Sequence, residues 1–125
     1  MQKIIVTGGL GFIGSNLIDL LIKNKYYVIN IDKVSYSSNF YNVKEFSKKS
    51  YKFIKCDINN RAKIRKILKK YKPSGIFNLA AETHVDRSID DPGNFIKSNI
   101  LGVYNLLEEF RYFYSKNKKT KLIHV

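Results

Sequence analysis

The apolar positions of the chain fall into short β-branched runs that alternate with longer stretches of helical spacing. Ile4, Ile5 and Val6 form the first run, and apolar groups then recur at Ile13, Leu17, Leu20 and Leu21, with Ile18 and Ile22 widening the stripe. The first pattern predicts a buried strand, the second an amphipathic helix over residues 12–24 that stops at Asn24. Further strand-like runs occupy residues 27–31, 52–56, 75–79 and 120–125. A helix capped by Asn59 or Asn60 is expected to turn Ile64, Ile67 and Leu68 inward until Lys72-Pro73 ends it. A long helix over residues 93–114 follows Pro92, a residue suited to a first turn, with Phe95, Ile96, Ile100, Val103, Leu106, Leu107 and Phe110 as its inner stripe. Residues 32–41 are rich in Ser, Asn and Tyr and read as a long loop, residues 43–50 as at most a short Lys-rich helix, and residues 80–92 as an irregular polar segment. Alternating β and α elements predict an α/β fold: a Rossmann-type parallel sheet with right-handed crossovers and helices on both faces, ending at about strand five.

The junction between the first strand and the first helix carries the candidate chemistry. Gly8, Gly11 and Gly14 stand at three-residue spacing between Val6 and the helical stripe. Gly8 permits the tight turn, Gly11 lets backbone approach a pyrophosphate, and Gly14 lets the helix pack close to the strand. Unpaired N–H groups at the helix start then face the anion. The second strand ends in Asp32, eighteen residues after Gly14, near the place where a dinucleotide fingerprint carries an acidic residue for the ribose hydroxyls. Loops at the carboxyl ends of the strands, around residues 8–14, Asp32, Asp57 and residues 80–84, are expected to converge on one edge.

A chain of 125 residues makes one domain, short for a two-domain enzyme. No apolar stretch is long enough for a membrane span, and no basic-plus-apolar leader precedes the first strand. The single Cys56 fits a reduced, cytoplasmic setting and reads as a small buried hydrophobe in a strand rather than a nucleophile. The net charge of +13 raises nucleic-acid binding as a question, but the lysines are spread over nearly every element and arginine is rare. That pattern fits a solvated charged surface rather than a basic face, so no nucleic-acid partner is expected.

The segment from Thr7 to Gly14 (TGGLGFIG) resembles the glycine motif of the extended short-chain dehydrogenase/reductase superfamily. Asp32-Lys33-Val34-Ser35-Tyr36, the block AAETHVDRSI over residues 80–89, and residues 92–107 with Phe95-Ile96, Asn99-Ile100 and Gly102 are similar to the dTDP-glucose 4,6-dehydratases within it. The resemblance spans the whole chain, and the block around His84 is its most selective part. It implies an NAD-dependent lyase that oxidises the sugar at C4, eliminates water across C5 and C6 and returns the hydride to C6, in deoxysugar (rhamnose) biosynthesis. It also implies site roles. Phe12 and Ile13 would present backbone donors to the pyrophosphate, Asp32 would hold the adenosine ribose, and Lys33, Val34 and Ser35 would line that end. Asp57 and Ile58 would approach the adenine, Leu79, Ala80, Ala81, Glu82 and Thr83 would pass under the nicotinamide half, and Ser98 would touch the cofactor from the next helix. Thr83 and His84 would contact the hexose. Asp32 by itself favours NAD over NADP, because a carboxylate repels a 2′-phosphate, and Lys33 softens that preference. Three positions depart from the family pattern: Thr83 for a common Ser, Ser98 for a common Thr, and Val103 where Thr is frequent.

The superfamily's Tyr-x-x-x-Lys pair, in which lysine lowers the pKa of a tyrosine base, and the dehydratase's Asp-Glu acid/base pair are expected beyond Val125, as is the substrate domain. Tyr112 with Lys116 and Tyr114 with Lys118 have the spacing but precede strand five and read as decoys. The chain is thus read as the partial NAD-binding domain, residues 1–125, of an enzyme that would be a homodimer when whole, inactive alone and prone to aggregate at its uncovered edge. His84, Glu82 and Asp86 on one loop are thin grounds for a metal, and none is expected. Asp86 and Arg87 read as loop-fixing residues. Alternatives from other classes are a non-catalytic NAD-sensing module, a basic nucleic-acid binder, and another nucleotide-sugar epimerase or dehydratase of the same superfamily.

Overall fold

A computed structural model of the chain describes residues 1–34, 46–80 and 91–125. Its centre is β1 (Lys3–Thr7), which pairs in parallel with β2 (Tyr27–Asp32) on one side and β4 (Gly75–Asn78) on the other. β3 (Tyr51–Lys55) extends the sheet beyond β2, and β5 (Lys121–His124) extends it beyond β4, giving the order β3-β2-β1-β4-β5. The register sets Ile5 between Ile29 and Ile76, and Thr7 between Ile31 and Asn78. Alternate residues of these strands face opposite sides, and both sides are covered. Ile4, Val6 and Val28 pack with Ile18 and Leu21 of α1 (Phe12–Lys23). Ile5, Ile29, Ile31 and Ile76 pack with Ile64, Ile67 and Leu68 of α2 (Arg61–Tyr71) and with Leu106. Two-sided burial is why Ile4 to Val6 of β1 and Val28-Ile29 of β2 read as continuous apolar runs.

The helical segment after β4 has three parts: α3 (Pro92–Ile96), a π-helical stretch (Lys97–Leu101) and α4 (Gly102–Tyr114). The expected stripe is rotated there. Ser98, Gly102, Leu106 and Glu109 are the buried positions, whereas Ile96, Ile100 and Leu107 are exposed. Small residues face the sheet side because the helix approaches closely: a Cβ on Gly102 would lie 2.7 Å from Ile58 Cδ1. The wide π turn shifts the phase, and periodicity alone carries no sign of it. In α1, likewise, Gly14, Ser15, Ile18 and Leu21 face inward while Ile13 and Leu20 are exposed. The caps are local: Asn60 Oδ1 accepts from the Lys63 amide at 3.2 Å, and Lys72, in the left-handed region at φ 45°, closes α2 before Pro73. Residues 46–50 form turns leading into β3. The remainder of the expected Lys-rich helix lies outside the described residues.

α2 and α4 are joined through a buried carboxylate. Glu109, 2% exposed, accepts from Arg61 Nε at 2.8 Å and binds Arg65 in a two-point fork, at 2.7 Å from Nε and 3.1 Å from Nη2. The Arg65 hydrogen bonds, with Arg61 adding to them against the opposing effect of burial, hold the Glu109 carboxyl below its ordinary value of 4.5. Because the folded value is depressed, the contribution is fully present above the ordinary carboxylate pKa and is lost as pH falls through the lower folded one. Replacing Glu109 with Gln is expected to cost about 2 kcal/mol at neutral pH, less than a fully desolvated pair because both arginines are partly in water. The same variant should flatten the decline of melting temperature below about pH 4.5, as followed by circular dichroism.

Candidate functional site

β1 runs into a turn whose shape depends on two glycines. Gly8 has φ +71° and donates its amide to Ile31 O at 2.8 Å, and a Cβ there would stand 2.7 Å from Leu79 O. A Cβ on Gly14 would overlap the Gly8 carbonyl oxygen and lie 2.8 Å from Gly9 Cα. The protein's own packing therefore demands both. Gly11 is different: its Cβ would make only an ordinary 3.4 Å contact with Gly8 O. The space in front of Gly11 is left open by the fold.

The amides of this turn are tied down one after another. Gly9 N donates to Asn30 Oδ1 at 3.0 Å, Leu10 N to Asp32 Oδ2 at 3.1 Å, and Gly11 N to Gly8 O at 3.2 Å. The next amides, of Phe12 and Ile13, belong to the first turn of α1, where no carbonyl four residues back is available. With the helix dipole added, they form an anion-attracting end. Asp32, 7% exposed at the carboxyl end of β2, also accepts from Val34 N at 2.7 Å, and Val34 sits at φ 64°. Lys33 Nζ reaches Ser98 Oγ at 2.8 Å, so two expected site residues from distant segments meet. Asp57 Oδ1 accepts from Asn59 N at 2.9 Å at the end of β3. Ile58 follows it into the core beneath Gly102. Asn59 in turn donates to Lys97 O at 3.2 Å and accepts from Asn105 Nδ2 at 2.8 Å, fastening this loop to the helix.

Leu79 and Ala80 continue β4, and both of their amides donate to Thr7 Oγ1 at 3.1 Å. Thr7 Oγ1 donates to Asn78 Oδ1 at 2.5 Å, and Asn78 Nδ2 lies 3.1 Å from His124 Nδ1. Thr7, Asn78 and His124 share one register row across β1, β4 and β5. Sequence reasoning gave no role to Thr7, Asn30, Asn78 or His124. Their signal was present as single polar residues interrupting apolar strands, because a buried polar side chain must have a partner. Ser35, Ala81, Glu82, Thr83 and His84 lie outside the described residues, as do Asp86 and Arg87. Among the described residues no group of His, Cys, Asp or Glu is placed to hold a metal, and no helix is long and apolar enough to cross a membrane. Cys56 is buried in the core, where burial raises its thiol pKa.

A parallel sheet with a glycine turn at the end of its central strand, an acidic residue ending the next strand and helices on both faces defines a Rossmann-type α/β domain. Residues 5–125 match the family model described as GDP-mannose 4,6 dehydratase, and the chain belongs to that family. It is 42% identical over 118 residues to a dTDP-glucose 4,6-dehydratase of Neisseria meningitidis, covering 93% of this chain and 33% of the relative. It is 45% identical over 116 residues to that of Salmonella typhimurium, covering 91% and 32%. Among solved structures, a dTDP-glucose 4,6-dehydratase of Bacillus anthracis in complex with NAD superposes with a TM-score of 0.81 at 32% identity, over 99% of this chain and 37% of that one. A Thermotoga maritima UDP-glucose 4-epimerase with UDP-glucose gives 0.81 at 35%, over 90% and 35%. The chain thus spans about a third of the length of the relatives it matches.

The two classes of glycine separate in a stability experiment. Gly8→Ala is expected to cost about 2–3 kcal/mol through left-handed strain and a backbone clash. Gly11→Ala should change stability by less than about 0.5 kcal/mol. Urea denaturation of the two variants measures the contrast.

Proposed function

We propose that the chain is the NAD-binding part of a dTDP-glucose 4,6-dehydratase, which converts dTDP-glucose to dTDP-4-dehydro-6-deoxyglucose and water. The observation that carries the cofactor reading is the open space at Gly11 directly before the first-turn amides of α1, with the Asp32 carboxylate at the neighbouring strand end. Phe12 and Ile13 would donate to the pyrophosphate, and Gly11 would give it room. Asp32 would accept from the adenosine ribose while keeping its bond to Leu10. Its negative charge disfavours a 2′-phosphate, and the Lys33 ammonium, held at Ser98, softens that preference. The Lys33–Ser98 contact would close over the adenosine half, with Val34 and Ser35 beside it and Asp57 and Ile58 at the adenine. Leu79 to Thr83 would underlie the nicotinamide, which when bound supplies reversible hydride acceptance. Thr83 and His84 would touch the hexose.

The dTDP-glucose assignment is supported by the dehydratase names of the relatives and by the block around His84. The acid/base and Tyr-x-x-x-Lys groups would come from the part of the enzyme that follows. A homodimer of the whole enzyme is the expected assembly: Ile96, Ile100, Tyr104 and Leu107, spaced by three or four residues along one helical segment, are all exposed, as an apolar face awaiting a partner would be. A cytoplasmic location and a role in rhamnose biosynthesis complete the proposal.

Titration with NADH, followed by its fluorescence, tests the cofactor reading. NAD+ and NADH are expected to bind at least about tenfold more tightly than their 2′-phosphorylated counterparts, and Gly11→Ala to weaken binding at least about tenfold with its fold intact. Failure of the folded chain to bind NADH would overturn the proposal. Assay of the complete enzyme should show turnover of dTDP-glucose, whereas interconversion of UDP-glucose and UDP-galactose would select the epimerase alternative. A folded chain that binds NAD yet belongs to no catalytically complete polypeptide would select the sensing module.

A further inference from the structure

The Gly9 amide is held by a side chain that is itself held from behind. An N–H group only donates, so the Asn30 atom facing Gly9 at 3.0 Å is the carbonyl oxygen. The other end of the same carboxamide therefore points away, and its Nδ2 donates to Tyr51 Oη at 2.9 Å. Asn30 is 0% exposed, so neither end of the amide can turn to water instead. Tyr51 begins β3, opposite Val28, and stands diagonally across from Asn30 on the same face of the sheet. Its ring packs on Phe46, with centroids 5.4 Å apart, and against the cluster beneath α1. The Tyr51 phenol is a neutral hydroxyl around pH 7, and burial raises its pKa further above the ordinary value of 10.0.

We propose that Tyr51 is a positioning residue for the pyrophosphate-binding turn, acting through Asn30 on the Gly9 amide. This inference rests on the cofactor reading above and names the distant group that sets its geometry. Removing the hydroxyl leaves Asn30 Nδ2 without a partner in a dry site, a situation a buried donor does not tolerate. The amide then turns toward other acceptors or admits water, Gly9 loses its own acceptor, and the turn that aims Phe12 and Ile13 loosens. Tyr51 Oη stands two hydrogen bonds away from the Gly9 amide, and its effect on binding passes through Asn30.

Amide hydrogen exchange and NADH titration of Tyr51→Phe, Asn30→Leu and the double variant test the relay. Tyr51→Phe is expected to speed exchange at Gly9 about tenfold and weaken NADH binding about three- to tenfold, the size of one hydrogen bond. Asn30→Leu should do at least as much. In the Asn30→Leu background the Tyr51→Phe change should have no further effect on binding. Unchanged Gly9 exchange in Tyr51→Phe, or an equal additional loss in the double variant, would overturn the proposal. Should Tyr51→Phe not fold, the unaltered chain decides: a slowly exchanging Gly9 amide and a nuclear Overhauser effect from the Asn30 side-chain amide to the Tyr51 ring are expected, and a Gly9 amide exchanging at open-loop rates would overturn it. If the unaltered chain binds no NADH while Gly9 exchange still responds to Tyr51→Phe, the cofactor reading fails and the relay stands.

Discussion

A central strand that ends in a tight glycine turn releases several backbone amides in a place walled off from water, and each needs an acceptor. The rest of the site follows from how that need is met. β2 carries Asn30 and Asp32 two residues apart on one face, in register with the end of β1, and they take the Gly9 and Leu10 amides in succession. Gly11 turns back on Gly8. On the other side of β1, Thr7 gathers the Leu79 and Ala80 amides with one hydroxyl and donates that hydroxyl's hydrogen bond to Asn78 Oδ1. The amides that come next, of Phe12 and Ile13, stand in the first turn of α1, where backbone donors have no acceptor within the helix. The proposed anion site follows from where this succession of hydrogen bonds ends.

This dependence explains what the sequence disclosed. Strand and helix order, parallel pairing, two-sided burial, the glycine turn and the acidic end of β2 were legible, because each rests on local periodicity or on a spacing that backbone geometry enforces. The boundaries moved by a residue or so: β2 includes Asp32 and β3 starts at Tyr51. Helix faces were less legible. A count of apolar residues along residues 93–114 selects Ile96, Ile100 and Leu107 as inner positions, yet the close approach at Gly102 and the π turn bring Ser98, Gly102 and Glu109 inward. At Ser98 and Gly102 tertiary proximity favoured small residues over large ones, and no one-dimensional pattern encodes that.

Charge was legible in amount and not in arrangement. Among 23 basic residues only four are arginines, and two of these, Arg61 and Arg65, stand one helical turn apart against a single buried glutamate. Guanidinium groups are chosen where a carboxylate must be forked from a fixed direction, a task to which lysine is poorly suited. Arg61 and Arg65 thus mark a place where the chain uses electrostatics for structure.

The π turn between Ile96 and Gly102 means that the two ends of one helical segment are indexed differently against the sheet. A single residue's worth of extra backbone sets the angle between the end that carries Ser98 toward Lys33 and the end that carries Glu109 toward the arginines. Ordinary α-helical winding over the same five residues would rotate one end by roughly a quarter of a turn relative to the other. The wide turn is therefore a hinge in winding rather than in direction: it lets one continuous helical segment face two separate partners, through contacts that have no residue in common.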